Sequence, residues 1–313
     1  MSVGAADAEA FLAASQDALR AASRADPLAT LGWWSLLDDL GDPEARAALF
    51  SLFRAEGREL ADTGALGGLL AAPYLGAVTT SGAAPRLDSV AATIPRQSPR
   101  RGPVDVLVGP PTVDQLLVDD PDSGVMLVPA AAATFVPVDV AGRLTLHEVE
   151  FDPSAATHLL EHDAAAAARV RSRFLGRVAV GFELLGAAEA AVAVAVGHAT
   201  AREQFGRPIA TFQAVRHLLA WAVTDCTAIE AVATEACALD GDAPAHYDEV
   251  VKALAGRNAR RACQRSLQVL GAIGFTAEHE HHHYYSRVLA LDALVGTSTE
   301  LTWSLGARLR TAR

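Results

Sequence analysis

The chain has 313 residues, of which 51% are hydrophobic and 20% charged, and its formal net charge is −11. That length suggests two or three domains with ample material for a buried core. The acidic balance argues against a sequence-independent nucleic-acid binder, because phosphate neutralisation needs clustered Lys and Arg. No apolar run approaches the ~18–20 residues of a membrane span, and the N-terminus lacks the pattern of a secretory signal. We therefore expect a cytoplasmic protein that contacts neither nucleic acid nor a membrane.

Residues 1–75 have the composition of a helical domain. They are rich in Ala, Leu, Asp and Glu, and apolar residues recur at intervals of three or four, as in Ala47, Leu49, Phe50 and Phe53. This spacing predicts several short amphipathic helices. The run Asp42-Pro43-Glu44 predicts a helix start, with Asp as the N-cap and Pro at the first helical position.

Residues 76–153 change to a β pattern. Short β-branched runs alternate with Pro, Gly and Asp, and we predict strands at 104–108, 115–118, 124–128, 134–138 and 144–151. Strands of this length at intervals of ~8–12 residues indicate a small antiparallel barrel or sandwich. The Pro-, Arg- and Ser-rich segment 81–103 is expected to be a loop or poorly ordered.

Residues 154–313 read as a four-helix bundle. Long helical patterns run over 162–198, 211–240, 246–270 and 280–309, and short Gly- and Pro-containing links separate them. Long helices with short links are typical of an antiparallel bundle. The three cysteines, Cys226, Cys237 and Cys263, form no CxxC pair, so we expect buried thiols. The fold class is therefore mainly α with a small β domain.

The link between the first two bundle helices has the chemistry of an anion site. Arg202 and Arg207 lie beside a predicted helix start at Thr211, whose free N–H groups favour phosphate. Phe205 and Phe212 offer flat surfaces for a nucleobase. The same residues also suit ordinary capping and surface salt bridges, and this pattern alone does not decide between the two.

Two segments carry a family resemblance. The segment 199–217, ATAREQFGRPIATFQAVRH, resembles the signature of the acyl-CoA dehydrogenase C-terminal domain, and 268–279, QVLGAIGFTAEH, is similar to that family's QxxGGxGFTxEH segment. Weaker matches occur at 31–37 and 56–61. The resemblance implies an N-terminal helical domain, a central β domain and a C-terminal four-helix bundle. It also implies FAD held between the β domain and the bundle, with a neighbouring subunit covering the adenine end.

The resemblance assigns roles by motif match. Arg202 would contact the FAD pyrophosphate, Phe205 would pack near the adenine and Gln213 would bond to the nucleotide end. The remaining predicted cofactor-binding residues are Gln268, Gly271, Gly274 and Thr297. Glycines suit a loop that approaches a cofactor, because they permit positive φ and close backbone contact.

The family reaction is α,β-dehydrogenation of an acyl-CoA thioester, and it needs a carboxylate base near the α-carbon. The two base positions known in the family correspond here to Val295 and Gly176, and neither residue accepts a proton. The catalytic residue is therefore unassigned, with Glu278 and Glu183 as weak candidates. The TEPxxGS-like loop that holds the flavin ring has no clear counterpart in residues 76–103.

This combination resembles the short, diverged subunit of hetero-oligomeric acyl-CoA dehydrogenases of bacterial steroid catabolism. The resemblance implies an α2β2 complex with a full-length paralogue, a bulky acyl-CoA substrate and an electron-transfer flavoprotein as acceptor. Two alternatives remain: an autonomous dehydrogenase with an unorthodox base, and a non-enzymatic helical interaction protein. The run His279-Glu280-His281-His282-His283 has a spacing that zinc can use, but we predict no metal site there.

Overall fold

The computed structural model describes residues 3–21, 26–78, 85–98, 102–120, 124–276 and 278–311. Helices form the first part of the chain, two small sheets follow, and helices form the rest. This order agrees with the fold class expected from the sequence. The proposed division at residues 75 and 153 stays a prediction, although the secondary structure changes close to both positions.

The N-terminal part consists of helices of very different length. They are α1 (Val3–Ala21), α2 (Pro27–Thr30), α3 (Trp33–Asp38), α4 (Pro43–Glu59) and α5 (Ala65–Ala77). Asp42 caps α4 as predicted, because its carboxylate accepts a hydrogen bond of 2.8 Å from the Ala45 N–H. One face of α4 packs into the main hydrophobic core through Leu49, Phe50 and Phe53.

The β region is a pair of four-stranded sheets. The strands are β1 (Val90–Ala92), β2 (Ile94–Ser98), β3 (Gly102–Val108), β4 (Gln115–Asp120), β5 (Gly124–Pro129), β6 (Ala133–Pro137), β7 (Leu146–Phe151) and β8 (Thr157–Leu160). One sheet has the order β1-β4-β5-β8 and the other β2-β3-β7-β6. Leu107 and Val149 of the second sheet share a core cluster with Leu116 and Val128 of the first, so the sheets form a sandwich.

Three details of the β region differ from expectation. Strands β1 and β2 lie inside the segment 81–103 that we predicted as a loop, and the calls on 81–84 and 99–101 fall outside the described residues. β1 pairs with β4 in parallel, so the region is not wholly antiparallel. β8 extends the first sheet past residue 153. The Pro- and Arg-rich composition concealed β2, which pairs with β3 along its whole length.

The bundle is built on one very long helix, α6 (Ala166–Ala201). By length and composition α6 is able to cross a membrane, contrary to our reading of the sequence, but 78% of its most apolar window is buried. The neighbouring bundle helices are α7 (Gln213–Leu239), α8 (Tyr247–Leu270), α9 (His281–Asp292) and α10 (Ser298–Thr311). Glycines allow close packing, since a Cβ on Gly57 of α4 would lie 2.7 Å from the Ala187 nitrogen of α6. The three cysteines are buried thiols, as predicted.

The last predicted helix, 280–309, is wrong as a single element. It is divided into α9 and α10 by a turn at residues 293–297, where Val295 has φ 51° and Gly296 has φ 101°. Both values lie in the left-handed region, which ends a right-handed helix. Gly296 is the one sequence signal of this break, and the helical pattern on both sides concealed it.

A buried charge cluster joins the three parts of the chain. Arg287 of α9 is 1% exposed, and its guanidinium bonds to the Glu183 carboxylate of α6. It also donates to the carbonyl oxygens of Arg143, at 2.9 Å, and Ala61, at 2.6 Å. Glu56 of α4 lies in the same cluster and accepts a hydrogen bond of 3.0 Å from the Thr63 N–H. One guanidinium thus connects α6, the β region and the α4–α5 turn.

Candidate functional site

A cavity of 330 Å³ lies where α5, the β1–β2 junction and α6 meet. Its volume is at the lower end of the range for small-molecule sites. Residues from all three parts of the chain line it: Leu70, Tyr74, Ala92, Thr93, Ile94, Pro95, Leu117, Asp119, Arg169, Ser172, Arg173, Arg177, Val295 and Gly296. The surface is therefore apolar with a few charged groups.

The two positions at which the family resemblance places a base lie next to each other, and one of them, Val295, lines this cavity. A Cβ built on Gly176 would lie 3.8 Å from Cγ1 of Val295, although the residues are far apart in sequence. The same Cβ would lie 2.6 Å from Cδ2 of Leu70, so Leu70 occupies the space that a side chain at 176 needs. Neither position carries a group that accepts a proton.

Among the described residues that line the cavity, Asp119 is the single carboxylate. Both of its oxygens accept hydrogen bonds of 2.6 Å from Arg169, and Oδ2 also accepts one of 2.9 Å from the Tyr74 hydroxyl. Burial and the neighbouring Asp119 charge raise the pKa of Tyr74. The Arg169 guanidinium and the Tyr74 hydroxyl thus hold both oxygens of Asp119 within the chain. Sequence reasoning missed this group, because no motif links residues 74, 119 and 169.

Two cations hold the turn that carries Val295. The Arg177 Nε donates to the Val295 carbonyl at 3.0 Å, and the Lys252 ammonium donates to the Gly296 carbonyl at 2.9 Å and the Asp292 carbonyl at 3.1 Å. Lys252 is fully buried, and burial lowers its pKa to about 8. A β-branched residue at positive φ is strained by ~1–3 kcal/mol and persists only when its surroundings fix it. These hydrogen bonds fix the Val295 wall of the cavity.

Thr297 is the last residue of this turn and directly precedes α10. Its hydroxyl donates to Glu300 at 2.9 Å and accepts from the Glu300 N–H at 3.1 Å, while its own N–H donates to Glu300 at 3.0 Å. This reciprocal pattern is a capping box. The structure therefore gives the Thr297 hydroxyl a partner within the chain.

Neither weak candidate base lines the cavity. Glu183 is buried in the cluster around Arg287, where burial raises its pKa and the guanidinium opposes that shift. Glu278 is exposed in the segment between α8 and α9. Helical periodicity predicted that Glu183 lies near the face of Gly176, but its carboxylate accepts a hydrogen bond from Arg287 instead.

The predicted nucleotide-binding residues gather at the other end of the bundle. Ala195 and Ala199 of α6 share a core cluster with Val269 and Leu270 of α8. Ile209, Ala210, Val215 and Leu218 at the start of α7 complete this packing. It places Arg202, Gln213 and Gln268 around one end, with all three side chains exposed.

Phe205 is the most exposed of the large apolar side chains described. It is 93% exposed, has φ 52° and makes an edge contact with Phe212 at 6.1 Å between ring centroids. The Arg207 guanidinium lies 4.4 Å from the Phe212 ring centroid, as a cation–π pair. Thr211 is not the N-cap that we predicted, because its hydroxyl donates to the Pro208 carbonyl at 2.7 Å and α7 begins two residues later.

The predicted glycine loop also lies at this end. Gly271 has φ 65°, and a Cβ there would meet no heavy atom within 4 Å, so its backbone is open to an incoming molecule. Gly274 is different, because it is buried and a Cβ would lie 2.8 Å from Leu267. Its glycine is explained by internal packing.

The two groups of site residues lie far apart along α6. From Gly176 to Arg202 there are 26 residues, which at ~1.5 Å per residue correspond to about 39 Å. This distance exceeds the length of an extended dinucleotide. A single bound FAD is therefore unable to contact both groups of one chain.

The β1–β2 junction lies within residues 76–103, where the sequence has no clear counterpart of the flavin-ring loop. A single residue, Thr93, separates the two strands, and its hydroxyl donates to the Asp105 carboxylate at 3.0 Å. The Thr93 N–H bonds to the Leu117 carbonyl at 2.9 Å. The hydroxyl and the amide of this junction are thus used within the β region.

The histidine run forms hydrogen bonds of its own. His281 is buried and its Nε2 lies 3.1 Å from the Cys263 carbonyl, while His282 Nδ1 lies 2.7 Å from the His279 carbonyl. Within the described part of the chain, no three His, Cys, Asp or Glu side chains are grouped as metal ligands.

Comparison with known proteins gives consistent matches. Residues 171–309 match the model of the acyl-CoA dehydrogenase C-terminal domain. The acyl-CoA dehydrogenase FadE34 of Mycobacterium tuberculosis is 30% identical over 277 residues, which are 87% of this chain and 34% of that protein. The chain thus spans about a third of the length of the first curated relatives it matches.

Solved structures share the whole fold. The Tcur3481-Tcur3483 steroid ACAD superposes with a TM-score of 0.79 at 20% identity, over 99% of both chains. The ChsE4-ChsE5 complex from Mycobacterium tuberculosis gives a TM-score of 0.74 at 20% identity, over 99% of this chain and 98% of the matched chain. At this identity the likeness concerns the fold.

Proposed function

We propose that this chain is the base-deficient subunit of a heteromeric acyl-CoA dehydrogenase. The premise is that the chain belongs to the acyl-CoA dehydrogenase family through residues 171–309. The complex catalyses α,β-dehydrogenation of an acyl-CoA with a bulky, steroid-derived acyl group. The partner is a longer paralogue that supplies the base, and the electron acceptor is an electron-transfer flavoprotein. We expect the complex in the cytoplasm.

The matched proteins support both parts of this proposal. One of the solved structures is a steroid ACAD, and another is the complex of ChsE4 with ChsE5. Each superposes over nearly the whole of this chain.

The observation that supports the proposal is that Asp119, held by Arg169 and Tyr74, is the single carboxylate among the described residues that line the cavity. Val295 lines the cavity and Gly176 lies next to Val295, and neither carries a carboxylate. A general base must lie within hydrogen-bond reach of the proton that it removes. We therefore infer that the base comes from another chain.

The fit of the chain to FAD differs between its two ends. FAD supplies the hydride-accepting flavin when bound. At the ring end, Thr93 bonds internally to Asp105, which leaves no free hydroxyl at that junction. At the nucleotide end, Arg202 is exposed and the Gly271 backbone is open. With about 39 Å between the two ends, we infer that Arg202, Phe205, Gln213, Gln268 and Gly271 bind the nucleotide end of a cofactor whose ring lies in a neighbouring chain.

Co-expression tests this proposal. The full chain is purified alone and with a longer paralogue that retains Glu at one of the two base positions. We expect flavin absorbance and dehydrogenase activity in the complex only, with about one FAD per unlike pair. Arg202→Gln should lower the flavin content, whereas the matched control Arg310→Gln, on the exposed end of α10, should not.

Three outcomes would contradict the proposal in different ways. A yellow and active oligomer of this chain alone would reject the need for a partner. Loss of its activity on replacing Glu183 or Glu278 by Gln would then favour the autonomous dehydrogenase. Absence of flavin from every combination of chains would favour the non-enzymatic interaction protein.

A further inference from the structure

We propose that the 330 Å³ cavity of this chain binds an apolar molecule that carries an anionic group, and that Arg173 pairs with the anion. The inference concerns a ligand for the cavity that remains after loss of the base. It stands apart from the proposed function, because it requires neither flavin nor a partner chain.

The walls of the cavity favour an apolar body. Leu70, Ile94, Leu117 and Val295 contribute aliphatic side chains from α5, both sheets and the α9–α10 turn. Burial of these side chains against an apolar ligand removes apolar surface from water, which favours binding. The volume is sufficient for a small ring system with a short side chain.

The charged groups on α6 point to an anion. Arg169, Arg173 and Arg177 occupy positions i, i+4 and i+8, so they follow one face of the helix along the cavity. The described lining residues include three guanidinium groups but a single carboxylate, that of Asp119. That carboxylate is fully engaged by Arg169, through two hydrogen bonds of 2.6 Å.

The second carboxylate near this face is also taken. Asp248 accepts a hydrogen bond of 2.7 Å from Arg177, and Arg173 lies 3.9 Å from the same oxygen. Glu249, the next acidic residue, lies 3.7 Å from Arg177 and bonds to Arg308 at 2.6 Å. Four arginines, Arg308 included, thus share three carboxylates, and the contact of Arg173, at 3.9 Å, is the longest of its kind in the group. The charge of Arg173 is therefore the least neutralised.

Arg173 is also accessible. Its side chain is 47% exposed, against 10% for Arg177, and it lines the cavity without a close hydrogen bond among the described residues. A guanidinium binds a carboxylate through two parallel hydrogen bonds, which are stronger beside apolar walls than in water. An apolar acid therefore matches the apolar walls and the weakly paired Arg173 guanidinium together.

The test compares two probes that differ only in charge. 1-Naphthaleneacetate and its neutral analogue 1-naphthaleneacetamide are titrated calorimetrically into the full chain. We expect the acid to bind about tenfold more tightly or better, the effect of one hydrogen bond to a charged partner. Inorganic phosphate is the third probe, and it should bind much more weakly, because it lacks an apolar body.

Substitutions assign the effect to the residue. Arg173→Gln should reduce the affinity for the acid to that for the amide and leave the amide unchanged. Arg173→Lys should retain most of the preference. The control Arg171→Gln removes a charge from the same helix outside the cavity, where Arg171 lies against Phe174, and should change neither affinity.

Equal binding of acid and amide to the unmodified chain, or no binding of either, would overturn the inference without any variant. Phosphate binding as tight as that of the acid would remove the apolar part of the argument. Loss of the preference in Arg171→Gln as well as Arg173→Gln would show a general charge effect. None of these results depends on the flavin content of a complex, so the two proposals fail separately.

Discussion

Replacing Glu56 by Gln tests the buried charge cluster around Arg287. Glu56 is 4% exposed, and burial together with the nearby Glu183 charge raises its pKa to about 8. Burial also raises the pKa of Asp62 in the same cluster. With one guanidinium among three carboxyl groups, the folded chain keeps a proton on Glu56 at neutral pH. Gln has the shape of that protonated form without its ability to ionise.

The sign of the pH effect follows from proton binding. Glu56 has a pKa of about 8 in the folded chain, against 4.5 for an unperturbed Glu, so between these values the folded state holds the extra proton. The contribution of Glu56 to the free energy of unfolding is therefore highest below pH 4.5 and falls as the pH rises towards 8. The slope from this group is about −1.4 kcal/mol per pH unit, which amounts to about 3 kcal/mol between pH 4.5 and pH 7.

Urea denaturation at several pH values between 5 and 8 measures this contribution. The free energy of unfolding of Glu56→Gln, minus that of the unmodified chain, should increase with pH by about 1 kcal/mol per unit. Glu44→Gln removes an exposed carboxylate from the same helix and should give a flat difference. A flat difference for Glu56→Gln would refute the reasoning, because it would mean that Glu56 is ionised in the folded chain.

Two further substitutions test packing and pairing. Gly186→Ala should lower the free energy of unfolding by about 3 kcal/mol or more, because the new Cβ would overlap the Arg54 carbonyl; overpacking alone costs about 1–3 kcal/mol, and the lost backbone fit adds to it. The control is Gly197→Ala on the same helix, where the new Cβ meets nothing within 4 Å. It should raise the free energy of unfolding by about 0.5–1 kcal/mol in urea denaturation. Arg287→Met should cost about 3–5 kcal/mol, because it leaves Glu183 buried without its cation, while Arg310→Met on the surface should change the unfolding free energy by less than about 0.5 kcal/mol. Equal effects within either pair would contradict the corresponding contact.

Local sequence signals predicted much of the fold. Asp42-Pro43 marks the start of α4, and the β-branched runs mark β3 to β7 within a few residues. The failures arose where tertiary contacts override local composition. β2 forms in a Pro- and Arg-containing segment because β3 pairs with it, and the turn at Val295 interrupts a helical pattern because Arg177 and Lys252 hold its carbonyl groups.

The candidate site divides in the same way. The motif residues Arg202 and Gln268 were identified from a contiguous pattern, and they lie at one end of the bundle. The charged groups of the cavity come from pairs that are distant in sequence, such as Asp119 with Arg169. Such pairings have no periodicity or spacing to reveal them. The sequence therefore predicted the absence of a base at Val295 and Gly176 but not the groups that surround the cavity.

In the proposed function, the length of α6 allows one end of the chain to keep its motif while the other end lacks a base. Substitutions farther apart than ~7–10 Å, with no shared partners, act nearly independently, and about 39 Å separates Gly176 from Arg202. A change from carboxylate to Gly or Val at the cavity therefore leaves the packing of Ala199, Val269 and Leu270 intact. If Arg202 and Gly271 bind the nucleotide end of a cofactor held by a neighbouring chain, they can still do so when the chain's own cavity lacks a base. The cavity is then free to take a ligand that Arg173 selects.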